Sequence, residues 1–432
     1  MVHELFQALA TLLAALLVLG YLLLRTLVER QGVALSLRRL PLEVLLFGAV
    51  VAWIMVQITP YAPATWHHPL WGEVGRVLDL PLAGHLTLAP GAGFEALMRL
   101  LGYALLFWLA LQWGRERKRA RQILITLTLA ATLYASYALF GYLGGNQTLL
   151  WVERRFYLDD LTGTMVNRNS FATYLGLGLL LLTGLYLAGW LHALQSGRRG
   201  RDRAFHLLRR GLITTAPQIA AITLLLTALL LTHSRAGGSA ALLVVTLLLL
   251  LLGARGRVDE RMLQILILLF LGIVVATLLA SGEAWLQRLS ETELERDLRL
   301  LAYVQTWEAT QGALWSGFGA GSFEQTFPLY ADHRSIGFHK AHNDWLETLF
   351  TLGLPAALLW FGLLGSLAMR CLIGFFRRRR DQLYPLLGFT ASLLVGLHAL
   401  VDFSLQIPAI AITYSVILGV GVAQSWSSDH HD

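Results

Sequence analysis

Residues 221–252 read AITLLLTALLLTHSRAGGSAALLVVTLLLLLL, two long apolar runs parted only by a polar knot around Thr232–Ser239. With its flanking residues each run reaches the roughly 20 that an α-helix needs to cross about 30 Å of hydrocarbon. The pattern continues outward in both directions. Apolar runs near 5–25, 41–59, 94–113, 122–143, 170–191, 212–231, 237–253, 262–280, 344–366, 383–400 and 407–425 predict about 11–12 transmembrane helices. Composition agrees, with 56% of residues hydrophobic and 14% charged, where soluble domains carry about 25% charged residues. The expected fold class is an all-α, polytopic membrane protein, with 1–432 as a single transmembrane domain. The first run is too long for a signal-peptide core and follows Met-Val-His-Glu rather than a basic segment, so it reads as the first span.

A net charge of +7 could suggest a nucleic-acid partner, but the basic residues are not spread as a groove-binding stripe. Of 34 Lys and Arg, 23 fall in Arg25–Arg39, Arg115–Arg121, Arg198–Arg210, Arg255–Arg261 and Arg370–Arg380. These are every second connection between spans, which marks them as cytoplasmic and starts the chain outside. The outside connections are then 60–93, 144–170, 233–238, 281–343 and 401–407. The longest, 281–343, is the expected seat of function. In it Ser290–Glu293 has capping-box spacing and the leucines that follow predict a helix over 291–313 near the membrane surface. Gly317–Gly321 reads as a flexible turn; no strand precedes it and no P-loop lysine follows, so it is not a nucleotide fingerprint. The lone Cys371 can form no intramolecular disulfide.

Ionisable residues at span ends are costly in a membrane protein and so point to function. Arg235 sits in the tight turn 233–238 among small residues that leave room for a ligand. His342 heads the next polar cluster, Lys340–Glu347, with Asn343, Asp344 and Glu347, and could share a cavity with the two carboxylates. An imidazole titrates near neutrality and suits a general base. His339 and His342 lie three apart near Asp332, His333 and Asp344, which makes a metal centre a competing reading, although no second pair has ligand spacing. Arg296, Arg299 and Arg168, within Asn167-Arg168-Asn169, could fork phosphate oxygens. His398 and Asp402 flank an outside span end, where pairing within the bundle is the plainer reading.

The chain resembles the O-antigen ligase family, which shares a superfamily with Wzy-type polymerases. The likeness runs from Thr162 to Thr413. It rests on Gly163–Ala172, Ser234-Arg235-Ala236-Gly237-Gly238, Gly317–Phe323, Phe327–Tyr330, the His342 segment, and Val401-Asp402-Phe403 with Pro408. The ligase pattern of His, Asn, nine residues, Gly and a small residue three further on is met by His342, Asn343, Gly353 and Ala356. The resemblance implies a GT-C-like glycosyltransferase of the bacterial inner membrane with a periplasmic active face. The donor would be a glycan on undecaprenyl pyrophosphate and the acceptor the lipid A core. The reaction would be inverting, metal-independent and without cofactor. Arg235, Arg299 and Arg168 would bind the pyrophosphate, His342 would be catalytic with Arg235, and Asn343, Glu347 and Asp402 would support it. Two other acceptors stay open, a second lipid-linked unit (polymerase) or a protein (O-oligosaccharyltransferase). A lipid or polysaccharide transporter is the reading of another class.

Overall fold

The computed structural model describes residues 2–28, 33–145, 148–150, 152–154, 156–194, 215–255, 264 and 282–426. It is helical and polytopic. Its longer helices are α1 (Val2–Leu23), α2 (Pro41–Ile58), α3 (Leu70–Leu78), α4 (Pro90–Trp113), α5 (Arg117–Leu143), α6 (Arg168–Leu194), α7 (Ala216–Leu231), α8 (Arg235–Ala254), α9 (Gly282–Gly312), α10 (Asp344–Arg377), α11 (Leu383–His398) and α12 (Pro408–Ala423). Among the described residues seven helices are long and apolar enough to cross a membrane, and α7, α11 and α12 are shorter apolar ones. These ten match ten of the expected runs; the run at 262–280 lies almost wholly outside the described residues, as does the basic segment at 198–210. Leu12, Leu16, Leu45, Leu129 and Leu133 are exposed on α1, α2 and α5, as a hydrocarbon solvent requires.

The chain divides into two compact units. The second unit (Trp113–Leu286, Arg370–His398, Ala409–Asp432) is centred on α6, which is buried over 83% of its apolar window and packs against α5, α7, α8 and α11. Small residues let α6 and α8 approach closely. A Cβ on Gly237 would stand 2.7 Å from that of Ala172, and one on Gly176 2.9 Å from that of Ala241. The two contacts advance together along both chains, so α6 and α8 are parallel with their N-termini side by side.

The first unit (Met1–Gln112, Gln287–Met369, Ala399–Pro408) holds α1 to α4, most of α9 and the upper part of α10. Here α10 is broken. Gly353 has φ 75° and ψ 164°, a region open essentially to glycine alone, and Pro355 offers no N–H to the turn above it. The freed backbone groups would be prohibitive in hydrocarbon unless paired. Each finds a partner: Phe350 O accepts from Phe318 N (2.9 Å), Thr351 O from Gly319 N (2.8 Å) and from Gln57 Nε2 (2.9 Å), and Leu352 O from Trp53 Nε1 (2.8 Å). Leu354 N donates to Leu314 O at 2.7 Å. Buried Gln57 also donates to Ser316 O and accepts from Ala320 N.

Two expectations need correction. The Gly317–Gly321 segment is no flexible turn: Gly317 to Ala320 are buried, and Phe318 packs 4.5 Å from Phe350 within a core that includes Phe323 and Phe327. The helix expected over 291–313 begins at Gly282, so Ser290 lies within α9 and not at its start. The all-α fold class holds, with Thr148–Leu149 and Val152–Glu153 pairing as a minimal antiparallel hairpin among the described residues.

Candidate functional site

In the first unit, His342 precedes α10, whose first turn is capped by the Asn343 side chain accepting from Leu346 N at 3.0 Å. His342 is a non-glycine residue at φ +51°, a conformation that persists only where the surroundings over-determine it. They do so here. The Tyr303 hydroxyl donates to His342 O at 2.7 Å. Ala341 N donates to the buried Glu347 carboxylate at 2.8 Å, and Lys340 lies 3.6 Å from the same group. Asp344 accepts from Leu405 N (3.1 Å) and Gln406 Nε2 (2.9 Å), while its own N–H donates to Ala399 O (2.8 Å). Asp344 therefore bolts the 399–408 segment to the start of α10.

That bolt sets Asp402 beside the histidine. His342 Nδ1 lies 3.3 Å from Asp402 Oδ1, with the carboxylate side chain 1% exposed and the imidazole 16%. Phe338 and Phe403 close edge-on around the imidazole, with centroids 5.6 and 4.9 Å from it. With Nδ1 buried against the carboxylate, Nε2 is the nitrogen left for chemistry. Asp344 and Glu347 thus hold backbone and strap groups around His342.

Arg299 stands one turn before Tyr303 on α9. Burial raises the Tyr303 phenol above its ordinary pKa, Arg299 opposes the shift and Asp402 adds to it. The hydroxyl therefore stays protonated and remains a donor to His342 O. Arg299, Tyr303, His342 and Asp402 form one neighbourhood. Beside it an open groove of about 690 Å³ runs between α9 and α10, lined by Tyr303, Glu308 and Asn343 and by Leu354, Leu358 and Phe361 among others. Sequence reasoning passed over Tyr303; its place four residues after Arg299, on the same helical face, was the available clue.

In the second unit, Arg168 and Arg235 are the first residues of the parallel helices α6 and α8. Asn167 caps α6, accepting from Asn169 N at 2.7 Å, and Ser234 caps α8. Two helix N-termini and two guanidinium groups thus share one end, an arrangement that favours an anion. Arg235 is exposed. Arg168 is engaged: its Nη1 lies 2.8 Å from Asp160 Oδ2, and its guanidinium stands 5.3 Å from the Tyr157 ring centroid. The other Asp160 oxygen meets His233 Nδ1 at 2.8 Å, and Arg154 donates to Asp160 O. Neither Asp160 nor His233 was singled out from the sequence, where only the Asp159-Asp160 doublet hinted at the carboxylate. His398 is hydrogen-bonded to Thr173 of α6 at 2.7 Å.

Burial pushes the Asp160 carboxyl up, but the His233 hydrogen bond and the Arg168 charge outweigh it and hold the group below its ordinary 3.8. A depressed carboxyl stabilises the fold above its unfolded pKa and loses that contribution as pH falls through the folded one. Asp160→Asn is expected to cost about 2 kcal/mol near neutrality. The gap between variant and parent melting temperatures should close as the pH is lowered from 7 toward 3; a gap independent of pH would refute the assignment.

The metal reading finds no ligand set: among the described residues no three His, Cys, Asp or Glu converge as one. His339 pairs with Glu324 and Asp332 with Arg334. No curated protein matches the chain. Residues 220–361 match the family model described as O-antigen ligase, a stretch that takes in Arg235, Arg299 and His342 and leaves out Arg168 and Asp402. Over that stretch, within a helical architecture with membrane-spanning helices, the chain is similar to the O-antigen ligase family.

Proposed function

We propose that the chain transfers a glycan from undecaprenyl pyrophosphate to a sugar hydroxyl of the lipid A core, at the periplasmic face of the bacterial inner membrane. The observation that carries this reading is the His342–Asp402 pair at the head of the groove. Asp402 orients the imidazole through Nδ1, and Nε2 takes the proton of the acceptor hydroxyl as its oxygen bonds to the anomeric carbon. The bond from that carbon to the pyrophosphate oxygen breaks with its electron pair, and a single displacement inverts the centre. The leaving group needs mainly charge stabilisation, which Arg235, Arg168 and Arg299 would supply without a metal.

The groove suits a lipid-linked substrate. The 22 residues between Glu347 and Arg370 carry no charge, enough to span about 30 Å of hydrocarbon. Leu354, Leu358 and Phe361 fall within that stretch, whereas Asn343 and Tyr303 stand at its head. A polyprenyl chain would lie against the leucines with its polar end toward His342.

The reading is tested with purified protein and an undecaprenyl-pyrophosphate-linked glycan, offered lipid A core, a second lipid-linked unit or a protein. Product on the lipid A core is expected. Product on the second lipid-linked unit alone would make the chain a polymerase, and on protein alone an oligosaccharyltransferase. Arg235→Ala is expected to raise the donor KM by about 10–100-fold, the loss of one charge-assisted contact. Arg235→Lys should recover only part, because an ammonium cannot fork two oxygens. An unchanged KM would remove Arg235 from the donor site.

A further inference from the structure

Helix α3 has an apolar face that none of the described residues covers. On it Leu70, Val74, Val77 and Leu78 fall within one arc of the helix at i, i+4, i+7 and i+8, and Val74, Val77 and Leu78 are exposed, Val77 by 85%. Leu80 and Leu82, just beyond its end, are exposed as well. Arg76 occupies the far side of the helix, its Nε donating to Gly72 O at 3.4 Å, and Glu73 flanks the apolar arc on that side. Trp71 faces inward.

The level of this helix is fixed by hydrogen bonds to the end of a span. Trp71 Nε1 donates to Thr87 O at 3.1 Å, and Thr87 N donates to Gln57 O, in the last turn of α2, at 3.3 Å. His85 Nδ1 lies 3.0 Å from Ile58 O, the final residue of α2. The start of α4 meets the same place, since a Cβ on Gly93 would stand 2.4 Å from Ile58 Cγ2. Both tethers of the α3 segment therefore end where α2 and α4 leave the hydrocarbon. Met55 near the end of α2 and Phe94 near the start of α4 are exposed, as are Tyr61 and Trp66 in the segment that leads to α3. Aromatic residues with one polar end favour this level of a bilayer.

We infer that α3 is an interfacial anchor, lying in the plane of the bilayer with Val74, Val77 and Leu78 among the acyl chains nearest the headgroups and Glu73 and Arg76 toward water. The chemistry of an amphipathic helix with one apolar arc and one charged arc fits a lipid surface, and the tethers that hold α3 at the ends of α2 and α4 select that surface over a protein partner. The anchored segment in turn braces the turn that seals α10: the His68 ring lies 6.3 Å from that of Phe318, and a Cβ on Gly319 would stand 2.2 Å from Thr87 Oγ1.

The test uses the full chain in phospholipid nanodiscs. The native Cys371 thiol is fully buried, so Val77→Cys and Arg76→Cys can each be labelled with an environment-sensitive fluorophore. Lipids carrying a nitroxide high on the acyl chain should quench the label at position 77 at least threefold more than that at 76, with iodide giving the reverse order. Lipid quenching at 77 no greater than at 76 overturns the anchor. A label at 77 shielded from both quenchers overturns it equally and identifies a protein cover.

Discussion

Replacing His342 with alanine is expected to lower kcat for glycan transfer by about 10²–10⁴-fold, the usual contribution of a positioned general base, with little change in the donor KM. The asymmetry follows from the proposed role. A base acts on a proton that moves only as the new bond forms, so its loss is felt in the transition state and not in donor binding. Asp402→Asn should fall in the same direction, because an amide at 3.3 Å from Nδ1 can satisfy that nitrogen in either tautomer and no longer selects the one that leaves Nε2 basic. Single-turnover assays with labelled donor separate the two steps. His342→Ala with more than a tenth of the parental rate would end the general-base role and leave the arginines to carry the reaction.

Gly353→Ala is expected to be the most damaging small substitution in the chain, at about 3–5 kcal/mol. Its backbone lies where a side chain is not tolerated, and a Cβ would stand 2.7 Å from both Gly317 N and Trp315 O. Gly317 is its counterpart, at φ +65° with a virtual Cβ 2.4 Å from Gly353 N, so neither side of the contact can give way. Gly365 provides the control, in the same helix with nothing within 4 Å of a Cβ. Gly365→Ala should be neutral or slightly stabilising, by up to about 1 kcal/mol. Size-exclusion yield and melting temperature in detergent check both. Equal behaviour of the two variants would mean that the break at 353 carries no strain.

The contrast between those two glycines also shows what a sequence can disclose. Spans were readable because an apolar run of about 20 residues is its own evidence, and ten of them lie where their runs lie. The break in α10 was not, although Gly353 and Pro355 stood in plain view inside the resemblance. Its partners are Trp53, Gln57 and residues 314–319, and no periodicity links positions some 300 apart. For the same reason His342 and Asp402 were read as separate clusters: what joins them is Asp344 holding Leu405 and Gln406, a tertiary contact. Helix α3 escaped notice because nine residues between two turns give too short a period to stand out. Asp160 was missed because a carboxylate in a loop is unremarkable until Arg168 and His233 are both found on it.

The sealed break in α10 carries a consequence for biosynthesis. Every group that pairs with it, from Trp53 and Gln57 to Leu314, Phe318 and Gly319, precedes Gly353 in the chain. As the polypeptide emerges, the partners are made before the helix that needs them, and the kinked helix can enter the bilayer with its backbone satisfied at once. Asp402 comes some fifty residues later. The nascent protein is thus safe in the membrane well before its histidine has a carboxylate beside it.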